Sequence, residues 1–520
     1  MPGDSLWNLM TDVAENSRAA GDLAAVADAS VAAIDLGSNS FHLIVAKLDH
    51  GQLSIIDRLR ETVRLASGID AKKCLTREAM DRALECLNRF GQRLRGIAQG
   101  NVRAAGTNTL RFARNAAAFV AEAEEALGHP IDVIGGREEA RLIYLGVAHG
   151  LAAGDERRLV LDIGGGSTEL IAGTGFATTH RESLHVGCVT LSNTYFGDGR
   201  IKKKKMLAAE IEAELALQPV VARFRNTGWD RAIGCSGTVR AVRGIVQTQG
   251  WCKHGVTRSA LAKLREAMIS AGHVDALAEF GISSDRRPIF PGGVAVLGAL
   301  FELLDIDRLN VSDQAMREGL LYDLLGRIRH TDVRTQTVQA LAKRWTVDST
   351  HAGRVKATAL GFLGQLAEPW DLQSEDYADR LDWAAELHEI GLSIAHGQYH
   401  KHGAYVVGNA DMAGFSRREQ AILAALIHGH RRKFPSAEFD ALPRRLVESG
   451  KRLCVLLRLA ALLHRSRSDT APPEVRLAAE KEVLQIDFPP AWLDSHPLTV
   501  ADLQLEARYL SAAGIKIGFR

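Results

Sequence analysis

The 520-residue chain is poor in cysteine, and its six cysteines are scattered. Cys74, Cys86, Cys188, Cys235, Cys252 and Cys454 form no C-x-x-C pair. That usage fits a reduced, cytoplasmic protein rather than a disulfide framework. No uninterrupted apolar run is long enough to span a bilayer, so any membrane association is expected to be peripheral. The first thirty residues lack a long apolar stretch and carry Asp4, Asp12, Glu15, Asp22 and Asp28. They do not read as a secretory signal but as a leader with one short helix, residues 1–30. The chain also lacks a G-x-x-x-x-G-K-[ST] run, so any phosphate site in it is not a Walker loop. Net charge is almost absent, at +2, and says little about partners. Composition, at 46% hydrophobic and 24% charged, excludes wholesale disorder.

What is present starts with "AIDLGSNSFHLIVAKL", Ala33 to Leu48. Two core-forming runs flank a small, polar insert, which predicts strand, tight turn, strand. The same grammar returns at "RLVLDIGGGSTELIAG". Asp162 matches Asp35, Gly164 matches Gly37 and Ser167 matches Ser40, each 127 residues on. A second pair of loops, "VRAAGTNTLRFA" and "RAIGCSGTVRAV", repeats at nearly the same offset, with Gly106 and Gly234 in register. Two loops echoing at one spacing predict a duplicated α/β unit. "TREAMDRALECLNRFGQRL" places Ala79, Ala83, Leu84, Leu87, Phe90 and Leu94 on one helical face, with Thr76 as N-cap.

Helical periodicity dominates after about residue 325. The boundaries read as domain I over 31–145, domain II over 146–325, a helical domain over 326–470 and a small α+β piece over 471–520. From Arg417 to Arg467 there are twelve Lys/Arg against four Asp/Glu. Such an excess suits capture of a polyanion. Non-specific nucleic-acid binding and a plain solvated face are the other readings. "KKKK", Lys202 to Lys205, reads as a solvated helix start.

The turns carry the chemistry. Glycine lets N–H groups approach a ligand closely, and successive N–H groups make an anion nest. Gly37, Ser38, Asn39 and Ser40 from one turn, and Gly164, Gly165, Gly166 and Ser167 from the other, would clasp a phosphate chain. Thr107 and Gly237 in the second pair of loops join that set. Asp35 and Asp162 would repel phosphate unless a hard cation lay between, which implies Mg²⁺. In "GGREEARL", Glu138 and Glu139 occupy a helix's first turn, where acidic residues suit the helix dipole; a general base is the second reading. Glu169 would position water or the cation, or pair across the sheet. Arg111 reads equally as a phosphate clamp or a surface arginine.

Taken in order, "AAIDLGSNSFHLIVAKL", "GTNTLR", "GGREEARLIYLGV", "LDIGGGSTELI", "GCSGT" and "SDQAMREGLLY" resemble the exopolyphosphatase/guanosine pentaphosphate phosphohydrolase family. The likeness runs from about residue 31 into the tail. It implies two duplicated actin-like domains (the actin, sugar kinase and Hsp70 type, ribonuclease H-like), then an all-helical HD-like domain and a small α+β domain. It assigns the catalytic carboxylate to Glu139, with Asp162 and Glu169 in cation binding and water positioning; Asp35 is the further metal ligand expected from the chemistry of the first turn. The cofactor implied is Mg²⁺, with a monovalent ion such as K⁺ as a further candidate. The substrates implied are inorganic polyphosphate and guanosine pentaphosphate. "DIGGGS" and "SDQAMREG" look like the exopolyphosphatase version, so polyphosphate stands first. A non-catalytic polyphosphate or nucleotide sensor is the alternative of another class. A homodimer without specific nucleic-acid binding is expected. In the helical domain, His388-Glu389 stands where HD phosphohydrolases carry a metal-binding His-Asp pair. With Asp absent, these residues and His396, His400 and His402 read as structural or as lining an anion path, a metal centre being the alternative.

Overall fold

A computed structural model describes residues 30–49, 52–151, 154–328, 332–468, 472–480, 483–511 and 514–520. The expected leader, apart from Ser30, lies outside the described residues. The chain forms two compact units that divide between Thr331 and Asp332.

The first unit is built on two sheets. The apolar runs of the opening stretch become β1 (Ser30–Leu36) and β2 (Ser40–Asp49), followed by β3 (Gln52–Thr62), β4 (Val102–Gly106) and β5 (Ile131–Val133). Their order is β3-β2-β1-β4-β5, antiparallel through β3, β2 and β1, and parallel from β1 to β4 and β5. The echo region gives β6 (Arg157–Ile163), β7 (Thr168–Thr174) and β8 (Ala177–Leu184), then β9 (Arg231–Gly234), β10 (Val256–Thr257) and β11 (Arg308–Val311). Here the order is β10-β11-β9-β6-β7-β8. Without the edge strand β10, the second sheet has the strand order and pairing sense of the first. The register agrees as well: Asp35 faces His42 across one hairpin, and Asp162 faces Glu169 across the other. Both turns close tightly. A Cβ on Gly37 would lie 2.8 Å from the Ser40 carbonyl, and one on Gly164 3.0 Å from that of Ser167.

Each sheet is followed by a helix that runs back toward the other. Gly136–His149 follows β5, and Met316–Ile328 follows β11. The two helices pack backbone to backbone. A Cβ on Gly146 would collide with the Ala315 carbonyl, and one on Gly319 with that of Leu142. Tyr144, Ile143, Leu320 and Leu321 from this pair bury together with Val31 and Ile44 of one sheet and Val160 and Ile171 of the other. The line expected at 145/146 therefore cuts through the helix Gly136–His149.

Helix Arg77–Arg93 is capped as expected, the Thr76 hydroxyl accepting from Ala79 N–H, and buries Ala79, Ala83, Leu87 and Phe90. Lys202 caps the helix Lys203–Thr227, and Lys202 to Lys204 are exposed. One segment, Arg287–Leu304, is apolar and long enough to cross a membrane, but 67% of it is buried inside the fold. It is the core helix of the second sheet, carrying Val294, Leu297, Leu300 and Phe301.

The second unit is helical, as the periodicity predicts. Its main helices are Val333–Arg344, Ser349–Leu366, Glu375–Leu387, Tyr399–Asn409, Arg417–Gly429 and Arg444–Leu463. β12 (Arg476–Glu480), β13 (Val483–Asp487) and β14 (Lys516–Phe519) form a small sheet beside the helix Pro497–Ser511. This tail shares the helical core: Leu484, Ile486, Leu503 and Leu510 bury with Trp383, Leu456 and Leu457. The fully buried Arg458 fastens it, donating to both oxygens of Glu506 and to the carbonyls of Gly429 and Arg432.

Candidate active site

The two hairpin turns meet face to face in the first unit. A Cβ on Gly165 would lie 3.2 Å from Ser38 Cβ, and one on Gly166 2.7 Å from Asn108 Nδ2. Only glycine lets the second turn come this close to the first. Thr109 Oγ1 donates to Ser38 Oγ at 2.8 Å, and Thr107 Oγ1 to the Leu36 carbonyl at 3.3 Å. These bonds tie the loop after β4 to the turn after β1.

Between the turns lies an open cleft. The first turn lines it with Gly37, Ser38, Asn39 and Ser40, and the second with Gly164, Gly165 and Ser167. Thr107 and Gly237 line it from the second pair of loops. Asp35, Asp162 and Glu139 present carboxylates to it. Three expected site residues do not line it: Gly166, Arg111 and Glu169. Gly166 packs against Asn108 instead. Glu169, the cross-strand partner of Asp162, is buried, and Ser183 Oγ donates to its Oε1 at 2.8 Å.

The two neighbouring glutamates have parted roles. Glu138 turns into a buried ionic cluster, held by Arg141 through two 2.8 Å bonds beside Asp323, Arg103 and Arg327. Glu139 turns toward the cleft. Arg111 Nη1 donates to Glu139 Oε2 at 2.7 Å and to the Ile134 carbonyl at 3.1 Å. Arg111 thus grips the carboxylate, not the cavity, which changes the phosphate-clamp and surface readings of this residue alike.

The carboxylates crowd one another. Burial is the largest cause lifting the Asp35 carboxyl to about 8, with Glu139 and Asp162 adding to it and Arg317 opposing. Burial also raises Glu139, against the pull of Arg111, and raises Asp162, against a hydrogen bond from Cys235 Sγ at 3.1 Å. Glu169 is raised well above the carboxylate range by burial and then by Glu139 and Asp162. A set of buried carboxylates holding one another's pKa up suits a hard cation, which relieves that repulsion. Among the described residues these carboxylates do not converge as a metal-ligating trio. They fit an ion such as Mg²⁺, which takes one or two carboxylates and completes its shell with water and substrate phosphate.

Sequence reasoning missed the basic lining of the cleft. Arg60, Arg240, Arg286 and Arg317 line the cleft from four separate segments. Gly237 makes room for one of them, since a Cβ there would lie 2.6 Å from Arg286 Nη1. His42 lies 3.1 Å from Arg317 Nη1 through its Nδ1, and burial with the nearby arginines drives its pKa down to about 3. Its neutral imidazole accepts from the guanidinium. The available signals were weak: Arg317 sits within "SDQAMREG", and His42 is the residue opposite Asp35 on β2.

Paired sheets with facing phosphate-type turns and a buried carboxylate on a crossing helix define an actin-like fold equipped for phosphoryl chemistry. Comparison with known proteins narrows this. A model of the Ppx/GppA phosphatase family matches residues 44–328, and one for Ppx/GppA phosphatase, domain III, matches residues 333–507. The chain belongs to the Ppx/GppA phosphatase family. A guanosine-5'-triphosphate,3'-diphosphate pyrophosphatase from Vibrio vulnificus (strain YJ016) is 39% identical over 477 residues, covering 92% of this chain and 95% of that one. A protein of the same name from Pseudoalteromonas translucida (strain TAC 125) is 38% identical over 486 residues, covering 94% and 97%. The crystal structure of an exopolyphosphatase from Cytophaga hutchinsonii ATCC 33406 is similar in fold, with a TM-score of 0.53 and 24% identity. It covers 57% of this chain and 98% of that one.

Proposed function

We propose that this chain hydrolyses the terminal 5'-phosphate of guanosine 5'-triphosphate 3'-diphosphate, leaving the 5'-diphosphate 3'-diphosphate and orthophosphate. This reverses the order expected from "DIGGGS" and "SDQAMREG", which put polyphosphate first. Relatives at 38–39% identity over nearly the whole chain carry the guanosine name, which outweighs two short loops. The exopolyphosphatase neighbour, at 24% identity, speaks to fold alone.

The observation that carries the hydrolytic reading is Glu139: a buried carboxylate of raised pKa, facing a cleft made by two phosphate-type turns. In this reading the turns hold the terminal phosphoryl group through backbone N–H groups and the hydroxyls of Ser38, Ser40 and Ser167. Arg111 fixes the Glu139 carboxylate. Water attacks the terminal phosphorus and passes its proton to Glu139; the bond from that phosphorus to the bridging oxygen breaks, and the nucleotide leaves with its charge. The raised pKa makes Glu139 a stronger base than an exposed carboxylate. Asp35 and Asp162 would hold Mg²⁺, which when bound supplies positive charge between them and the phosphates. The basic wall of Arg60, Arg240, Arg286 and Arg317 balances the remaining nucleotide phosphates. The matched strand orders of the two sheets support reading them as copies of one ancestral unit.

Polyphosphate remains the second reading. It is favoured by the exposed Arg417, Arg432, Lys433, Arg444 and Arg445 of the helical unit. That basic window is narrower than its sequence count, because Arg458 is buried and Arg452 donates to the Trp370 carbonyl at 2.7 Å.

The test is phosphate release from the guanosine substrate and from long-chain polyphosphate, for the wild type and Glu139→Gln. The expected result is a higher kcat/KM on the nucleotide, and a loss of about 10²–10⁴ in kcat for the variant. Faster turnover of polyphosphate would restore the other order, and equal turnover by the variant would remove Glu139 from the chemistry.

A further inference from the structure

The second unit contains a group of polar residues that the proposed reaction does not use. His351 lies in the first turn of the helix Ser349–Leu366, and His388 caps the C-terminus of the helix Glu375–Leu387, with Glu389 next in the chain. The three side chains each offer one ligand atom, and these atoms lie within 4.8 Å of one another. Among the described residues, no other set of three His, Cys, Asp or Glu does this. All three are inside the fold, at 3%, 2% and 9% exposure.

We propose that His351, His388 and Glu389 form a binding site for a transition-metal dication of the Zn²⁺ class. Two imidazoles and one carboxylate are the donor set such ions take, with the remaining position open to water or a phosphate oxygen. His388 is already oriented as a ligand. Its Nδ1 meets the Ala385 carbonyl at 2.7 Å, which fixes the proton there and leaves the Nε2 lone pair free to coordinate. His351 Nδ1 is fully buried and has no hydrogen-bond partner among the described residues. His351 Nε2 lies 3.9 Å from Glu389 Oε2, so imidazole and carboxylate share one space.

A tethered cation competes for the same carboxylate. Arg467 Nη2 donates to Glu389 Oε2 at 2.5 Å and reaches Asp348 Oδ2 at 3.4 Å through Nη1. Its side chain is 43% exposed, whereas that of Glu389 is 9% exposed. The arginine therefore reaches in from the surface and can swing out into water. A metal drawing the three ligands to about 2.0–2.2 Å would have to displace that guanidinium. The structure thus holds the site in its guanidinium-filled form, and metal binding exchanges one positive group for another.

The test uses the full chain, stripped of metal by chelation and titrated with Co²⁺ as a spectroscopic stand-in for Zn²⁺. A Glu139→Gln, Asp162→Asn background removes carboxylates of the cleft in the other unit. The expected result is a saturable visible d–d band from one equivalent of Co²⁺, abolished by excess Zn²⁺. His351→Gln and His388→Gln lose the band while keeping the wild-type far-ultraviolet circular dichroism. Arg467→Ala keeps it and binds at least about tenfold more tightly, because a like charge beside the carboxylate has gone. The last variant removes no ligand, so it reports even if a histidine variant fails to fold. The proposal is overturned by the absence of a band in the parent protein, by an unchanged titration in folded histidine variants, or by weaker binding in Arg467→Ala.

Discussion

Replacing Arg111 with Gln separates its two assignments, phosphate clamp and carboxylate holder, by measurement. The guanidinium lies 2.7 Å from Glu139 Oε2, and the two side chains are 9% and 11% exposed, so water screens the pair weakly. An opposite charge this close lowers a carboxyl pKa by about 1–3 units. Glu139 is already raised by burial and by Asp162, with Arg111 as the opposing influence. Removing the charge therefore moves the Glu139 pKa further up by about 1–3 units. As a base it works only when ionised, so the acid limb of kcat/KM against pH shifts to higher pH by that amount. Below the shifted pKa the rate falls about tenfold per unit. Above it the rate returns toward that of the wild type. The assay is phosphate release from pH 5 to 10, with thermal melting to confirm folding. An unmoved acid limb together with a raised KM would refute this reasoning and restore Arg111 as a phosphate clamp.

Three further outcomes follow from other parts of the molecule. The Asp35 carboxyl, at about 8 in the folded chain against 3.8 normally, binds its proton more tightly when folded. Its contribution to stability is complete below about pH 4 and is lost as pH rises through 8. A cation that replaces the proton should therefore raise the melting temperature more at pH 8 than at pH 6, and equal Mg²⁺-induced shifts at both would contradict the assignment. Glu506→Gln leaves Arg458 buried without its counter-charge and should cost about 3–5 kcal/mol, read from urea unfolding of the full chain. Gly319→Ala drives a methyl onto the Leu142 carbonyl and should lower stability by about 1–3 kcal/mol or more, while Gly353→Ala, which meets open space, should not.

Local features were the most legible in the sequence. Thr76 caps its helix and the Ala79–Phe90 face is buried because both depend on neighbours within a few residues. The Asp35 and Asp162 turns were readable because they repeat, and a repeat fixes register as well as identity. The position of Glu139 followed from its helix start, yet nothing local separated it from Glu138, which a distant Asp323 claims through Arg141 and Arg103. The basic wall was illegible for the same reason. Arg60, Arg240, Arg286 and Arg317 come from four segments that only the tertiary fold assembles. Glu169 was placed correctly on its returning strand and shares the face of Asp162, its cross-strand partner, but it is buried against Ser183 and does not line the cleft, which no local pattern showed. The tail read as an appendage because its alternation is visible and its partners are not: its core lies in helices far away in the chain.

The paired hairpins carry a last consequence. Asp35 and Asp162 hold equivalent places in the two sheets, but their cross-strand neighbours are His42 in one and Glu169 in the other. The first is a neutral ring leaning on Arg317, and the second is a carboxyl held by Ser183. A clasp with identical halves could not distinguish the two ends of a phosphate chain. One difference at equivalent sites sets an acid-rich jaw against an arginine-backed jaw, so under the proposed reaction a bound anhydride would meet them in a defined direction.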